Sequence, residues 1–190
     1  MIKFIVFLGN PGAEFQHTRH NIAWLLAERC ELLKNAKWIS KFKGMYIVQM
    51  FQGGKVYFLK PLSFMNKSGE SVQNFLQFFK IVPDDLLVVH DDIELNYGEI
   101  ELKYGGGLCG HNGLRSIVQR LGTDMFYRLR LGISKPTEGE VAAYVLKKFT
   151  PEEQEHFDTF LTGAEEALNF IISRGKEAAM KKYKKASVIK

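Results

Sequence analysis

The chain has 190 residues, 46% of them hydrophobic and 25% charged, which suits one globular core and leaves too little length for a second full domain. Its two cysteines form neither a metal-binding spacing nor a disulfide framework, which indicates a reducing compartment. The N-terminal apolar run stops at Gly9, too early for a signal peptide, and no stretch approaches the roughly 20 apolar residues of a membrane span. We therefore expect a single cytoplasmic domain over residues 1–190, with no membrane association.

The formal net charge of +5 has the sign found in nucleic-acid-binding proteins, but it is concentrated at one end of the chain. Residues 181–190 contain five lysines and no acid, so the rest of the chain keeps 21 of the 26 basic residues against 21 acidic ones. Net charge alone therefore supports RNA binding only weakly. We interpret the basic C-terminal tail, at about 181–190, as a solvated terminus.

In the first half of the chain, apolar patterns predict a buried strand, an amphipathic helix, a β-hairpin and a second amphipathic helix. The strand is an unbroken apolar run, the helices carry apolar residues at helical spacing, and Gly53-Gly54 marks the hairpin turn. We expect Pro83 to end the second helix. The predicted ranges are strand 2–8, helix about 22–33, strands 46–51 and 56–59, and helix about 72–79.

The second half predicts a further buried strand, a half-exposed strand, a short helix, another strand and a mostly helical remainder. Strands mixed with helices, with hairpins as well as crossovers, predict an α/β fold: a single three-layer domain whose twisted mixed β-sheet is flanked by helices. The predicted ranges are strands 86–89, 99–104 and about 126–133, a glycine-rich loop at 105–113, helix about 114–121, and helices from about 140 onward, with Pro151 opening a long segment.

Polar loops follow several of these strands, which is where open α/β sheets place their sites. His20 stands at the start of the first helix, where a histidine taken alone more often caps or packs than reacts. The functional alternative is a general base, because neutral imidazole, with a pKa of about 6.5, can accept a proton from water. A carboxylate on its other nitrogen would orient such a base, and Asp91, at the carboxyl end of a strand, is the predicted partner.

Other chemistries find less support. The histidines and their neighbouring acids show no HExxH or comparable spacing, so we expect no metal. Serine catalysis lacks the G-x-S-x-G elbow, and Cys109 beside His111 fits a tight loop better than a nucleophile.

The glycine-rich loop contains a literal G-x-G-x-x-G, the pattern of dinucleotide-binding folds. That fingerprint normally follows the first strand and needs an acid at the end of the next, whereas Asp124 here precedes the next strand. We therefore expect no cofactor, and interpret the loop as a mobile segment that closes over a substrate.

Three asparagines, Asn10, Asn66 and Asn112, each lie in a loop next to Gly, Pro or a helix start. Turn formation or capping is a sufficient reason for any one of them. Three carboxamides around one histidine and one aspartate would instead suit a neutral polar substrate such as a peptide backbone, because each can both donate and accept hydrogen bonds.

The motifs that contain these residues resemble those of the bacterial-type peptidyl-tRNA hydrolase family, in the family's order. The resemblance implies an enzyme that hydrolyses the ester between a peptide, or an N-blocked amino acid, and the 3′-terminal ribose of tRNA, recycling tRNA from stalled or prematurely released peptidyl-tRNA. We also expect a monomer with no obligatory protein partner, since nothing in the sequence suggests more, and no cofactor, since ester hydrolysis by a general base requires none. The matching segments are Leu8-Gly9-Asn10-Pro11-Gly12, Thr18-Arg19-His20-Asn21, Phe64-Met65-Asn66-Lys67-Ser68-Gly69, His90-Asp91-Asp92, Gly105 to Leu114, and residues 126–132.

The resemblance implies roles for individual residues. His20 would be the general base, Asp91 would orient it, and Asn10 would position the water or the substrate carbonyl and help to reject unblocked aminoacyl-tRNA. Lys103 and Arg130 would grip tRNA phosphates, a task suited to cations. The implied residues for the peptide and the 3′ end of the tRNA are Phe15, Phe64, Met65, Asn66 and Asn112.

Two positions depart from the family pattern: Phe15, where tyrosine is common, and Leu108-Cys109, where smaller or more polar residues are common. Neither is the expected base or its carboxylate. Two other functions stay open at this point. The chain could be an RNA-binding relative without turnover, or a hydrolase of small esters or amides with incidental basic residues.

Overall fold

Eight strands and seven α-helices make up the computed structural model, which describes residues 1–189. The strands are β1 (Phe4–Phe7), β2 (Ile39–Lys41), β3 (Gly44–Phe51), β4 (Gly54–Pro61), β5 (Leu86–Asp92), β6 (Glu99–Tyr104), β7 (Tyr127–Gly132) and β8 (Ala186–Ser187). The helices are α1 (Ile22–Arg29), α2 (Ser68–Phe79), α3 (Asn112–Leu121), α4 (Val141–Val145), α5 (Pro151–Glu155), α6 (Phe157–Arg174) and α7 (Lys176–Lys182). Across this described part of the chain, every helix is too short or too polar to span a bilayer.

The strands form one mixed sheet in the order β2-β3-β4-β1-β5-β7-β6-β8. Strand β1 lies inside it, parallel to β4 on one side and to β5 on the other. Its alternate residues pack on opposite faces, Phe4 and Val6 towards α2 and α3, Ile5 and Phe7 towards α1, α6 and α7. A strand covered on both faces has no solvent-facing position, which explains the unbroken apolar run. The expected three-layer α/β fold is confirmed.

The carboxyl ends of the parallel strands β1, β5 and β7 meet at one edge of the sheet. Strand β5 does not stop at Val89 as predicted, because His90, Asp91 and Asp92 continue its pairing with β7. All three side chains are buried. These polar residues are therefore held by strand hydrogen bonds and not by a loop.

The predicted end of the first helix is wrong. Helix α1 ends at Arg29, because Cys30 leaves the helical conformation with ψ of 119°. Cys30 and Leu33 still pack in the same core from the turns after α1. Their apolar spacing therefore reflects burial and not a continuous helix. Helix α2 ends at Phe79, in agreement with its predicted range, but Pro83 is not what ends it, because Lys80 already adopts the left-handed conformation that closes a helix.

The C-terminal segment is packed, so its interpretation as a simply solvated terminus is wrong. Helix α7 runs to Lys182, and β8 pairs antiparallel with β6. Val188 lies against Gly163, and Ile189 against Gly98. The lysines of this segment are exposed while the apolar residues between them are at least half-buried. Lys190 lies outside the described residues.

Helices α2 and α3 approach closely where Gly69 faces the backbone of Ser116. A Cβ placed on Gly69 would lie 2.1 Å from the Ser116 carbonyl oxygen, and the Gly69 amide donates to Ser116 Oγ at 3.0 Å. The glycine is thus required by helix packing.

We expect Gly69→Ala to lower the free energy of unfolding by about 2–3 kcal/mol, because backbone must move to admit the methyl group. Urea denaturation monitored by circular dichroism measures this. Gly107→Ala is the matched control, since no atom of residues 1–189 lies within 4 Å of its added Cβ. Equal stability of the two variants would contradict the packing argument.

Candidate active site

A buried carboxylate links two imidazoles at the edge where the parallel strands end. Asp91 is the penultimate residue of β5, and His20 lies in a short 3-10 turn, Arg19–Asn21, that leads into α1. His20 Nδ1 lies 2.9 Å from both Asp91 oxygens, and both residues are buried. Because the carboxylate accepts the Nδ1 proton, Nε2 is the nitrogen free to accept a proton.

The second imidazole belongs to His111, which the sequence did not single out for this role. Its Nδ1 accepts hydrogen bonds from the backbone amides of Gly113 and Leu114, so the side chain caps the N-terminus of α3. Its proton must therefore be on Nε2, which donates to Asp91 Oδ1 at 3.0 Å. His111 directly precedes the observed start of α3 at Asn112, but the predicted helix began at about residue 114, so its capping position could not be recognised from the sequence.

The pKa values of His20 and Asp91 follow from this arrangement. Burial by itself lowers the pKa of His20, but the charge of Asp91 and the hydrogen bond to it prevail, so the pKa lies above the ordinary 6.5. Burial alone would raise the pKa of Asp91, yet the neighbouring His20 and His111 hold it well below its usual range. Asp91 is therefore ionised whenever His20 is neutral.

The ligand atoms of His20, Asp91 and His111 all lie within 4.8 Å of one another, a spacing that could hold a metal ion. The atoms that would bind a metal are joined instead by two N–H···O hydrogen bonds of 2.9 and 3.0 Å. Every proton donor has its acceptor in this arrangement, so the cluster matches an oriented base.

His90 lies beneath this cluster. Its Nδ1 donates to the Asp91 carbonyl at 2.7 Å, and its ring meets that of His111 edge-on. Burial lowers the pKa of His90 to about 3, so it is neutral and adds no charge to the site.

Two adjoining cavities open around His20, with His20, Asn112, Ala142 and Val145 lining both. The glycine-side cavity, about 310 Å³, is lined further by Asp91, Asp92, Ile93, Cys109, Gly110, His111 and Val141. The phenylalanine-side cavity, about 420 Å³, is lined further by Asn10, Phe15, Phe64, Met65, Asn66, Lys67 and Leu146. A reacting group beside His20 would therefore have room on two sides.

All three predicted asparagines lie at these cavities, in different roles. Asn10 is buried, and its Oδ1 accepts the backbone amide of Met65 at 2.8 Å, which leaves Nδ2 as its available donor. Asn66 and Asn112 are exposed, with Asn112 in the first position of α3. Phe15 and Phe64 meet edge-on with ring centroids 6.5 Å apart and form an apolar wall.

Arg19 fastens one wall of the cavities to the turn that carries His20. Its guanidinium donates to the Lys148 carbonyl at 2.8 Å and to Glu153 at 2.6 Å, and it stacks 4.3 Å from the ring centroid of Tyr144. Tyr144 belongs to α4, whose Val145 lines both cavities. Arg19 therefore fixes α4 relative to His20.

Arg128 fixes the glycine-rich loop. It is buried, and its guanidinium donates to the carbonyls of Gly105, Gly106 and Gly107, at 2.7 Å for Gly106 and 2.8 Å for Gly107. Asp124 accepts the Gly106 amide at 3.0 Å. The expected mobility thus does not fit the first three glycines, which are held from both sides.

The two cations expected to grip phosphates differ in their surroundings. Arg130 is buried, with its Nε 2.7 Å from Asp92 Oδ2 and a second ion pair to Glu101. Lys103 lies on β6 beside the same loop, half-buried, close to Gly106. The charge of Arg130 is therefore already compensated within the protein, whereas Lys103 has no ion pair among residues 1–189.

The chain is similar to known proteins over nearly its whole length. A family model described as peptidyl-tRNA hydrolase matches residues 4–190. The chain is 41% identical to the peptidyl-tRNA hydrolase of Geotalea uraniireducens, over 96% of each chain, and 44% identical to that of Trichlorobacter lovleyi, over 97% of this chain and 96% of the relative. A crystal structure of peptidyl-tRNA hydrolase with N-propanol is similar to this chain, with 36% sequence identity and a TM-score of 0.88. The crystal structure of the Acinetobacter baumannii enzyme is similar with 35% sequence identity and a TM-score of 0.88. Each comparison covers 100% of this chain and 96% of the other.

We expect Asp91→Asn to lower the pKa of His20, because the mutation removes the charge that raises it and leaves burial unopposed. An NMR titration of the histidine ring signals measures this, with Glu94→Gln, an exposed acid two residues beyond β5, as the control. A pKa of His20 that is unchanged or higher in Asp91→Asn would contradict the electrostatic assignment.

Proposed function

This chain belongs to the peptidyl-tRNA hydrolase family, and from that premise we propose that His20, oriented by Asp91, is the general base of its reaction. The chain is a peptidyl-tRNA hydrolase, an enzyme that acts on the ester bond of peptidyl-tRNA. The observation that carries the proposal is the buried pair of His20 Nδ1 and Asp91 at 2.9 Å, which leaves His20 Nε2 beside two cavities.

In the proposed reaction, His20 Nε2 takes a proton from water while the water oxygen attacks the ester carbonyl carbon. The tetrahedral intermediate then breaks its bond to the ribose oxygen, which receives the proton from His20. Asp91 stays ionised throughout and stabilises the imidazolium between the two steps. A general base supplies about 10²–10⁴-fold in rate, and the departing alkoxide of an ester makes this sufficient without a cofactor.

The carbonyl oxygen gains negative charge in the attack and needs a donor. Asn10 Nδ2 is suited to this, since Asn10 Oδ1 is engaged by Met65 and the carboxamide cannot rotate freely. Removing one such donor typically costs about 10²–10³-fold in rate. Asn10 would thus position the carbonyl, in addition to any role in rejecting unblocked aminoacyl-tRNA.

The two cavities suggest where each part of the substrate binds. The peptide would enter the phenylalanine-side cavity, where Phe15, Phe64 and Met65 contact its side chains and Asn66 binds its backbone. The ribose and the 3′ end of the tRNA would lie on the glycine side. Asn112 lines both and would bind at the junction.

For the tRNA phosphates, the surroundings favour Lys103 over Arg130. The Arg130 guanidinium is neutralised by Asp92 and Glu101, so we assign it the task of holding the edge of the site. Lys103 has no ion-pair partner among residues 1–189, so its ammonium is available to bind a phosphate. We propose further that the chain acts in the cytoplasm as a monomeric single domain without an obligatory protein partner, returning tRNA to translation.

We expect wild-type protein to hydrolyse N-acetyl-aminoacyl-tRNA in preference to unblocked aminoacyl-tRNA, and His20→Ala to lose at least about 10²-fold in kcat while it still binds tRNA, because the mutation removes the base. Release of labelled amino acid and filter binding measure the two properties. His17→Ala, which removes an exposed histidine three residues away, should keep full activity.

Turnover retained in His20→Ala would refute the base assignment. Binding of tRNA without hydrolysis by wild type would favour the RNA-binding relative, and hydrolysis of small esters with no dependence on the tRNA would favour the small-ester hydrolase.

We expect Lys103→Ala to raise KM severalfold and leave kcat unchanged, because a phosphate contact contributes binding and no chemistry. The magnitude of the slope of log(kcat/KM) against log[salt] should fall by about one, which is the contribution of a single phosphate contact. Lys55→Ala, an exposed lysine on β4 far across the sheet, is the control. An unchanged KM and salt slope in Lys103→Ala would contradict the phosphate role.

A further inference from the structure

Lys67 is a cation in a cavity otherwise walled by uncharged groups and His20. The phenylalanine-side cavity contains aromatic and aliphatic side chains, three asparagines, His20 and Lys67. Neither the fold nor the reaction described above uses this lysine. Charge at such a position acts on whatever enters the cavity.

The backbone of Lys67 is held rigidly relative to the catalytic residues. It ends a 3-10 turn, Met65–Lys67, and its amide donates to the Phe64 carbonyl at 2.8 Å. The same turn is fastened to Asn10, whose Oδ1 accepts the Met65 amide at 2.8 Å. The side chain of Lys67 therefore starts from a fixed point beside the ester-binding position.

Lys67 forms no ion pair among residues 1–189, and its charge acts only weakly on Glu70. The nearest acid along α2, Glu70, lies 2.6 Å from Lys43 Nζ in an ion pair of its own. Beside Lys67 lie the apolar wall of Phe15, Phe64 and Leu146 and the carboxamide of Asn66. The side chain of Lys67 is exposed, so water screens its ammonium in part, and the ammonium adds a moderate positive potential to the cavity that it lines.

We propose that Lys67 is a specificity-determining residue that selects substrates by the charge of the peptide. This rests on the proposed function, with the peptide in the phenylalanine-side cavity. Its ammonium disfavours a peptide that brings a cation into the cavity, and favours one that brings a carboxylate. It acts by repulsion against the wrong substrate, a common route to specificity.

The free α-ammonium of an unblocked aminoacyl-tRNA is the smallest cation of this kind. Blocking the amino group removes that charge and leaves an amide, which the asparagines can bind. Lys67 would thus contribute to the rejection of unblocked substrate together with Asn10, and would extend the same discrimination to basic peptides.

The test uses two N-acetyl-dipeptidyl-tRNAs that share the tRNA and the ester-linked residue and differ only in the next residue, glutamate or lysine. The ratio of their kcat/KM values cancels all contacts to the tRNA. Wild type should favour the acidic peptide by about threefold to tenfold, the size expected for two unit charges in a partly screened site. Lys67→Gln should bring the ratio close to one, and Lys67→Glu should reverse it.

Lys55→Gln removes the same charge from the amino end of β4, opposite to the carboxyl strand ends that carry the site, and should keep the wild-type ratio. Added salt should lower the wild-type ratio and leave that of Lys67→Gln unchanged, because only a charge interaction is screened. Ratios that are the same in wild type, Lys67→Gln and Lys67→Glu would overturn the proposal while turnover of both substrates upheld the proposed function. Absence of turnover in wild type would overturn both.

Discussion

The hydrogen bonds from two imidazoles to the Asp91 carboxylate hold the site together. A buried carboxylate is costly unless its charge is met by donors, and here His20 and His111 supply them from different parts of the chain. His20 is the proposed base. His111 holds an Asp91 oxygen in place, and its other ring nitrogen accepts a hydrogen bond from the backbone of α3. The position of His20, its tautomer and its basicity therefore depend on one carboxylate at the end of β5.

Two arginines, Arg19 and Arg128, hold the elements around this carboxylate by donating hydrogen bonds to backbone carbonyls. Arg19 ties the α4 wall to the turn that precedes α1, and Arg128 gathers three carbonyls of the glycine-rich loop. Each guanidinium supplies several donors in a fixed plane, so one side chain can fix several loop residues at once. The cavities beside His20 are in this way bounded by loops that carry little regular structure of their own.

Much of the fold could be predicted from sequence, because its elements depend on short-range patterns. The central pair could be predicted because its two members lie at a helix start and a strand end, where α/β sheets place their sites. Apolar runs gave the strands, Gly53-Gly54 gave the hairpin, and an acid at a strand end pointed to Asp91. What escaped depends on contacts between distant residues. The cap by His111 has meaning only once α3 meets β5, and pairing of β8 with β6 cannot be read from so short a strand. The burial of Arg130 between two acids likewise needed the register of β6 against β7.

The capping histidine has a thermodynamic consequence. The first turn of α3 and the Asp91 carboxylate share His111, so fraying of that turn withdraws a hydrogen bond from Asp91 at the same moment. Local opening of a helix end is a low-energy event in most proteins. Here it is linked to the proton affinity of His20, and by reciprocity any ligand that fixes Asp91 and His20 also protects the helix end from opening. The stability of the first turn of α3 and the proton affinity of His20 therefore depend on the same local opening equilibrium.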